Sequence, residues 1–356
     1  MNKCILQVCG YAAPYPGNFI KTLCCLAKQN KVQGYDTIFA FPDSAEKIDW
    51  CIELKQEYKV YFLPLSRARI TPLTYIEMKK IYKENNICII HSHFELYDMP
   101  ATLCAPKNVK VFWHLHDSLD LIYQKSNFLY RVLWKYQYKY AGKRATLLAV
   151  SEKGKRFAIQ LGFSTNRAHF LPNGIDTDRI DKATEGEYPN YDFLIYGWDF
   201  KRKGVDVLLD ALTDMKEDFS CALVAGDDSW QQIKQEKYKQ LINQPSVADV
   251  AALYRATKCF LHISRQEGLS YALLEAIYSG CIVICTDIEQ NMFAKDFPTV
   301  RFVKVGDVEE LRSEMRQVLD GSIVLTEEAI DESRRKIMEE YSLNTWVKRV
   351  QEYYFV

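Results

Sequence analysis

Residues 258–287, KCFLHISRQEGLSYALLEAIYSGCIVICTD, decide which fold this chain can adopt. Two short apolar runs, at 258–264 and 281–287, bracket a stretch that reads as a helix. Apolar runs buried on both faces are typical of parallel strands, which need a helical crossover between them. Ser270 is placed to cap that helix and Gly280 to end it. The stretch therefore predicts a strand–helix–strand unit of a doubly wound α/β sheet.

The same alternation of strands and helices extends through the rest of the 356 residues. This length favours two domains, and the polar segment 173–192 is the expected linker. We predict Rossmann-like domains over 1–185 and 186–340, and a C-terminal helix at 341–356 that packs back on the first domain. The strand candidates are 4–9, 36–41, 59–64, 87–94, 109–116, 146–151, 168–173, 191–197, 221–226, 258–264, 281–287 and 300–305.

Composition narrows the class of protein. No window approaches a transmembrane helix, and the first ten residues are too weakly apolar for a signal peptide. The eleven cysteines lack metal-like and disulfide-like spacing, so we expect reduced thiols in a cytoplasmic protein. Residues 1–150 carry a net charge of +8 and residues 151–356 one of −8. This asymmetry is either chance or the mark of an anionic partner for the first half.

Two glutamates stand out in this stretch: Glu267 lies just before the predicted helix and Glu275 inside it. A helix that only packs in the core needs neither carboxylate. Glu267 belongs to the loop after a parallel strand, which is where open α/β sheets bind ligands. The first N–H groups of the helix, near Leu269 and Ser270, form an anion site. Carboxylates on both sides of an anion site match the sugar, diphosphate and ribose of a sugar nucleotide. The alternative is that Glu267 is a solvated loop residue and Glu275 a partly buried structural carboxylate.

The stretch 264–287 resembles the signature of glycosyltransferase family 4, whose members are retaining enzymes with the two-domain GT-B fold. Similar motifs follow the family order elsewhere in the chain, namely IHSHF at 90–94, WHLHD at 113–117, PNGID at 172–176 and YGWDFKRKGVDVLLDAL at 196–212. The resemblance implies two doubly wound Rossmann-like domains facing across a cleft. The acceptor would bind to the first domain and the nucleotide sugar to the second.

The resemblance also implies roles for individual residues. Glu267 would bind hydroxyls of the transferred sugar, Glu275 the ribose, and Lys203 the departing diphosphate, while His116 would lie beside the donor sugar. We expect His116, Glu267 and Lys203 to be catalytic. Further donor-binding candidates share a place in or beside the matching loops: Gly17, Gly197, Lys201, Arg202, Gly268, Leu269 and Ser270. No metal and no cofactor are expected, and a UDP-sugar is the favoured co-substrate.

Three departures from the family pattern affect these expectations. Trp198 stands where an arginine is expected, which removes a diphosphate contact that Lys201 or Arg202 could restore. The glycine pair after the first strand is reduced to Gly17. The residues EQN at 289–291 replace a second glycine pair, a change that bears on the choice of sugar or acceptor.

Histidines raise a separate possibility. His91 and His93 face the same way on one predicted strand, as do His114 and His116 on the next. The two pairs could ligate a metal, but no cysteine or carboxylate pattern completes a site. Structural roles are the simpler interpretation for His91 and His114, while His93 stays open. Asp117 is the one candidate for a separate catalytic carboxylate.

Residues 125–144 read as a helix with two distinct faces. Arg131, Lys135 and Lys139 line one face. The other face is approximated by Leu129, Leu133, Tyr136 and Tyr140. Aromatic residues beside basic ones suit an anionic membrane surface. The alternative is a solvated basic face over an ordinary core stripe.

We therefore predict a retaining, metal-independent glycosyltransferase of the hexosyltransferase type. It would act on a glycan or lipid-linked acceptor in surface polysaccharide biosynthesis, in the cytoplasm or at the inner face of the membrane, without a nucleic-acid partner. One alternative is an inactive glycosyltransferase-like partner or regulator, against which the intact Glu267, Lys203 and Glu275 argue. A further alternative is a sugar-nucleotide epimerase or phosphorylase on the same fold.

Overall fold

The computed structural model describes residues 2–65, 69–116, 119–184, 186, 188–234, 237–245 and 250–355. Asp117 lies outside the described residues. The chain divides into two compact units. Unit 1 comprises Met1–Asn173 and Trp346–Val356, and unit 2 comprises Gly174–Thr345. The division falls at the start of the expected linker rather than after residue 185, and at Trp346 rather than at 341.

Within its described residues, unit 1 contains one seven-stranded sheet. Its strands are β1 (Cys4–Cys9), β2 (Asp36–Pro42), β3 (Lys59–Leu63), β4 (Ile87–His93), β5 (Lys110–Leu115), β6 (Thr146–Ala149) and β7 (Ala168–Phe170). All neighbours are parallel, in the order β3-β2-β1-β4-β5-β6-β7. The sheet therefore winds outward from β1 in both directions, and every residue of β1 is buried because both faces are covered.

The helices of unit 1 connect these strands. They are α1 (Gly17–Val32), α2 (Asp49–Glu57), α3 (Pro72–Glu84), α4 (Asp98–Cys104), α5 (Leu119–Lys125), α6 (Phe128–Ala141) and α7 (Glu152–Gln160), with 3-10 turns at Asp43–Ala45 and Thr165–Arg167.

Unit 2 has a second parallel sheet, with six strands among its described residues. The strands are β8 (Tyr191–Tyr196), β9 (Cys221–Val224), β10 (Leu241–Gln244), β11 (Thr257–His262), β12 (Ile282–Thr286) and β13 (Val300–Val303). Their order is β10-β9-β8-β11-β12-β13, and all neighbours are parallel. The prediction of two doubly wound parallel sheets is confirmed, but β10 was not among the predicted strands.

Helices again flank the second sheet. They are α8 (Thr177–Asp181), α9 (Val205–Thr213), α10 (Asp227–Trp230), α11 (Ala251–Arg255), α12 (Tyr271–Ser279), α13 (Val308–Leu319) and α14 (Glu327–Tyr341), with a 3-10 helix at Glu289–Asp296. The last helix, α15 (Leu343–Phe355), belongs to unit 1 from Trp346 onward, and its Tyr354 is buried there. No helix in the described part of the chain is long and apolar enough to span a membrane.

Candidate functional site

The loop between β11 and α12 is built as the sequence predicts. Ser270 caps α12, because its hydroxyl accepts a hydrogen bond from the backbone N–H of Leu273 at 3.3 Å. Gly280 ends the helix with a φ of +86°. The loop therefore runs from the carboxyl end of a parallel strand to the N-terminus of a helix, and it contains Glu267 and Gly268. Such an edge combines a ligand-binding position with an anion-binding one.

A second loop, at residues 197–204 after β8, meets this first loop, because β8 and β11 are parallel neighbours. The backbone N–H of Arg265 donates to the carbonyl of Arg202 at 2.7 Å. Gly204 has a φ of +73°, and a Cβ there would lie 2.3 Å from the carbonyl oxygen of Ile263. Only glycine allows the two loops to approach so closely. A Cβ at Gly197 would lie 2.7 Å from the Leu223 side chain, so tight packing explains that glycine.

The two loops bring three charged side chains together. The Lys203 ammonium lies 2.6 Å from Oε1 of Glu267, and the Arg202 guanidinium lies 3.4 Å from Oε2. The Lys203 and Glu267 side chains are only 11% and 8% exposed. Lys203 and Glu267 are 64 residues apart in sequence, so the fold rather than local sequence makes this pair. Predicted catalytic residues of unit 2 are thus in direct contact.

Electrostatics keeps the glutamate of this cluster charged. Burial would raise the pKa of Glu267, but the neighbouring His262 and Lys203 outweigh burial and lower the pKa below its ordinary value. Burial lowers the pKa of His262 to about 4, so this imidazole is neutral at neutral pH. Lys203 is therefore the main positive partner of the Glu267 carboxylate under those conditions.

Glu275 lies on the buried side of α12 and is paired with a residue that the sequence did not point to. Its Oε1 accepts a hydrogen bond from the guanidinium of Arg179 on α8, and its Oε2 accepts one from the Tyr254 hydroxyl at 3.4 Å. The Asp176 side chain caps α8 by accepting from the N–H of Arg179 at 3.2 Å. The only sequence signal was a basic residue three positions after the end of the PNGID motif. The carboxylate is therefore fixed in orientation.

The two candidates for replacing the missing arginine behave differently. Arg202 contacts Glu267, whereas Lys201 points to Asp206 on α9, at 2.9 Å, and is 75% exposed. Arg265 also binds Asp206, through two hydrogen bonds of 2.7 and 3.1 Å. Among the described contacts, Arg202 is thus the candidate that joins the cluster. Trp198 is half exposed.

The segment 289–291, which departs from the family pattern, has a structural function. Asn291 is buried, and its side-chain amide donates to the carbonyl of Thr286 at 3.0 Å. The Thr286 hydroxyl in turn donates to the carbonyl of Ser264 at 2.5 Å. Asn291 and Thr286 therefore link the loop after β12 to the loop that carries Glu267.

Unit 1 contains the other candidates, Gly17 at the start of α1 and His116 just after β5. His116 belongs to a hydrogen-bonded network with His93, whose Nδ1 lies 3.0 Å from His116 Nε2. The Nε2 of His93 lies 2.9 Å from Oε1 of Gln7, and the Gln7 amide donates to the Tyr354 hydroxyl at 3.0 Å. Burial lowers the pKa of His116 to about 3, so the ring is neutral at neutral pH.

Three buried histidines, His91, His93 and His114, each have a ring nitrogen within 4.8 Å of the others. Their number and spacing would suffice for a transition metal. However, both ring nitrogens of His93 already have hydrogen-bond partners, and the rings of His91 and His114 are stacked at 5.2 Å with an angle of 3°. Parallel stacked rings direct their nitrogens alongside one another rather than towards a common point. We therefore assign the cluster to packing and hydrogen bonding.

Helix α6 exposes most of the apolar residues that were predicted to line one face, and it packs on the core through a different face. Leu129, Tyr136 and Tyr140 are exposed, as is the neighbouring Phe128. The buried face of α6 consists instead of Trp134, Gln137, Tyr138 and Ala141. The exposed face therefore mixes aromatic and basic side chains, as the membrane interpretation requires.

Comparison with protein families gives two matches. The model described as Glycosyltransferase Family 4 matches residues 25–179. The model described as Glycosyl transferases group 1 matches residues 192–321. The first match lies in unit 1, except for its last residues, 174–179, which belong to unit 2. The second match lies in unit 2.

Two curated relatives are similar over part of their length. The uncharacterized glycosyltransferase MJ1178 of Methanocaldococcus jannaschii is 26% identical over 218 residues, which covers 59% of each protein. The lipopolysaccharide glucosyltransferase WaaG of Escherichia coli K12 is 29% identical over 207 residues, which covers 48% of this chain and 53% of WaaG. The chain thus matches little more than half the length of these relatives.

Among solved structures, the chain is similar to Anabaena Alr3699/HepE in complex with UDP, with a TM-score of 0.79 and 15% identity. The match covers 99% of each chain. A structure of the same protein in complex with UDP-glucose gives a TM-score of 0.76 at 14% identity, again over 99% of each chain. At this level of identity, the likeness shows the fold.

Proposed function

The chain belongs to the family 4 glycosyltransferases and has their GT-B fold, and from that premise we propose that it is an active transferase. It moves a sugar from a nucleotide-diphosphate sugar to a hydroxyl of a glycan or lipid-linked acceptor, with retention at the anomeric carbon and without a metal. Unit 2 binds the donor and unit 1 the acceptor. The observation that carries this proposal is the buried Lys203–Glu267 pair beside the N-terminus of α12.

The pair is better explained by ligand binding than by stability. Removing an ammonium and a carboxylate from water costs several kcal/mol per ion, so a buried pair is a poor source of stability. At this position, Lys203 stabilises the negative charge that develops on the departing diphosphate. Glu267, which can only accept hydrogen bonds when ionised, binds the hydroxyls of the sugar. Arg202 supplies the contact that the missing arginine would have made.

Glu275 completes the donor site by binding the ribose. A carboxylate has about four lone-pair sites, and the Arg179 and Tyr254 contacts hold its orientation while a diol binds. The complexes of Alr3699/HepE with UDP and UDP-glucose favour a UDP-sugar as the donor of this chain. Arg179 is therefore added to the proposed donor site as the residue that positions Glu275.

Ligand-induced thermal stabilisation tests the donor site directly. The protein is melted with UDP, UDP-glucose, GDP and GDP-mannose, all at the same concentration; a ligand present at about 100 times its dissociation constant adds ~2.7 kcal/mol of stability. We expect a rise in melting temperature with the uridine ligands, and a smaller rise in Glu275→Gln. The control is Glu332→Gln, which changes an exposed glutamate of α14.

Donor turnover completes this test. UDP release from UDP-glucose should fall by about 10² to 10³ in Lys203→Met, as expected when one leaving-group contact is lost. A folded protein that responds to none of the nucleotides would contradict the transferase proposal and support the inactive partner instead.

The acceptor is assigned to a membrane-bound glycan, because of the exposed face of α6. Phe128, Leu129 and Tyr136 are each more than 70% exposed on this helix, and Lys135 and Lys139 are exposed beside them. An apolar surface of this kind is costly in water unless it binds something. Each basic residue near an anionic bilayer adds ~1 kcal/mol of binding. WaaG, by its name a lipopolysaccharide glucosyltransferase, points to the same class of acceptor in surface polysaccharide biosynthesis.

Vesicle cosedimentation tests this surface. We expect binding to vesicles of phosphatidylcholine with 30% phosphatidylglycerol, and little binding to phosphatidylcholine alone. The double variant Lys135→Glu/Lys139→Glu should reduce binding by at least about tenfold, and Leu129→Ser should reduce it without changing its salt dependence. Ile52→Ser on α2 is the control, since Ile52 is exposed on another helix. Equal binding by all variants would rule out α6 as the membrane surface.

A further inference from the structure

In the histidine network of unit 1, the hydrogen-bond donors and acceptors follow a fixed order, which the sequence did not reveal. Oε1 of Gln7 can only accept, so the Nε2 of His93 must donate the 2.9 Å hydrogen bond between them. A neutral imidazole with its proton on Nε2 has a lone pair on Nδ1. The Nε2 of His116, 3.0 Å from that lone pair, must therefore carry the proton of the second hydrogen bond. Gln7 thus dictates which nitrogen of His116 is protonated.

The orientation of Gln7 is matched by a hydrogen-bond partner on the C-terminal helix. The Gln7 amide nitrogen donates to the hydroxyl of Tyr354 at 3.0 Å, and that hydroxyl lies 2.6 Å from Nδ1 of His91. Tyr354 can accept from Gln7 and donate its own proton to His91, so each hydrogen is used once. Gln7 and Tyr354 are 347 residues apart, and both are fully buried. A reversed Gln7 would place its oxygen against Tyr354 and invert the whole chain of donors.

Charge does not disturb this arrangement near neutral pH. The titratable groups facing His93 are His91 on the same strand, His114 and His116 from β5 and the loop after it, and Tyr354 from α15. Burial lowers the pKa of the four histidines and raises that of Tyr354, so all five groups are neutral. The network is therefore a chain of neutral donors and acceptors, in which one proton position determines the next.

We propose that Gln7 and His93 are positioning residues that hold His116 as its Nε2–H tautomer, with Tyr354 of α15 anchoring Gln7. The relevance for catalysis rests on the proposed function, together with the place beside the donor sugar that the family resemblance implies for His116. In that role His116 acts as a neutral hydrogen-bonding group, and not as a cation. A transferase of this fold would then depend on its last helix for the protonation state of a residue far away in the sequence.

The tautomer can be measured without any assumption about activity. In two-bond ¹H–¹⁵N spectra of ¹⁵N-histidine-labelled protein, the nitrogens of His116 are identified by their loss in His116→Asn. We expect a protonated Nε2 and an unprotonated Nδ1 for His116, and the same pattern for His93. A His116 protonated on Nδ1 in the wild-type protein would overturn the proposal, whatever the protein does.

Gln7→Leu tests the coupling to activity, because it removes both hydrogen bonds at similar volume. We expect mixed tautomers at His116 and a fall of about tenfold in kcat for UDP-glucose turnover, with KM for the donor changed by less than about threefold. The control is Gln244→Leu, which removes another buried glutamine that is hydrogen-bonded to a tyrosine: the Tyr191 hydroxyl donates to its Oε1 at 2.8 Å. It should leave the His116 spectrum and kcat unchanged.

The outcomes separate the two proposals. An unchanged kcat in Gln7→Leu, with an altered His116 spectrum, would overturn the positioning role and leave the transferase proposal intact. A wild-type protein with the expected tautomer and no turnover would count against the transferase proposal alone. If Gln7→Leu does not fold, the wild-type spectrum still decides which tautomer is present.

Discussion

The Lys203–Glu267 pair makes a definite prediction for stability at the level of single residues. Lys203→Met removes the nearest cation of the buried Glu267 carboxylate and leaves Arg202, which is 3.4 Å away and more exposed. Breaking a buried pair by removing one partner costs about 3–5 kcal/mol, and we expect Lys203→Met to lie at the low end because Arg202 remains. Urea unfolding of the ligand-free protein measures this free energy.

The double variant Lys203→Met/Glu267→Gln removes both charges and should recover most of that loss, because no unpaired charge remains buried. Arg335→Met is the matched control, since Arg335 forms an exposed pair with Glu339 on α14 and should cost less than about 1 kcal/mol. If the single and double variants are equally unstable, the pair is not the source of the effect and packing of the lysine stem is.

Individual residues were predictable only where their neighbours in sequence define their surroundings. Ser270 and Gly280 act on α12 itself, so their cap roles follow from local sequence. Arg179 and Glu275 are 96 residues apart, and only the packing of α8 against α12 brings them together. Gln7 is similar, because a single glutamine in an apolar strand says nothing about the histidines that it contacts. Long-range polar contacts of this kind leave no periodic signal.

At the level of elements, the contact between the β8 and β11 loops depends on Gly204. Gly204→Ala would place a methyl group 2.3 Å from the Ile263 carbonyl oxygen, where backbone must move, and would add the strain of a left-handed φ. We expect a loss of more than about 3 kcal/mol and weaker binding of UDP, because Lys203 is displaced along with its neighbour. Urea unfolding and UDP-dependent melting measure the two effects.

The control separates strain from collision. Gly321 also has a positive φ, of +78°, but no atom lies within 4 Å of its Cβ position. Gly321→Ala should therefore cost only about 1–2 kcal/mol and leave UDP binding unchanged. A Gly204→Ala protein as stable as Gly321→Ala would show that the two loops can separate without cost.

Whole elements were largely predictable because most strands are buried on both faces. Such strands appear as short apolar runs, and the runs at 4–9 and 191–197 match β1 and β8 within a residue. The strand β10 was missed because it lies at the edge of its sheet, and its two middle residues, Ile242 and Asn243, are exposed. Only Leu241 and Gln244 of this strand are buried. Its sequence, LINQ, therefore shows neither the apolar run of a buried strand nor a clear alternation of apolar and polar residues. The sequence showed that segment 289–291 departs from the family pattern. It did not show the hydrogen bonds by which Asn291 and Thr286 link this segment to the loop of Glu267.

At the level of the whole molecule, the buried histidines make the fold sensitive to acid. Burial holds the pKa values of His91, His93 and His114 well below 6.5, and that of His116 at about 3. Below pH 6.5 the unfolded chain binds protons at these sites and the native chain does not. Stability is therefore complete above pH 6.5 and falls with falling pH, by up to about 1.4 kcal/mol per pH unit for each histidine.

Buried Asp98 opposes this trend. Burial raises its pKa to about 6, so the native chain takes up this proton before the unfolded chain does, and its contribution favours folding as the pH falls. Between pH 6 and 4, Asp98 therefore offsets about one of the four histidines. Stability then falls with pH as if about three histidines contributed. A stability on the order of 10 kcal/mol would be lost within about two to three pH units, so we expect unit 1 to unfold near pH 4.

His114→Leu tests this account, because His114 is buried, and neither of its ring nitrogens has a hydrogen-bond partner in the described structure. Replacing it should make the protein more stable below pH 6 and reduce the slope of stability against pH by about 1.4 kcal/mol per pH unit. Urea unfolding followed by tryptophan fluorescence at pH 7.5, 6.5, 5.5 and 5.0 gives the slope. His169→Leu is the control, since His169 is only partly buried and its pKa is lowered less, so its slope should change little. An unchanged slope in His114→Leu would mean that His114 is protonated within the native state, which would also break the neutral chain on which the tautomer of His116 depends.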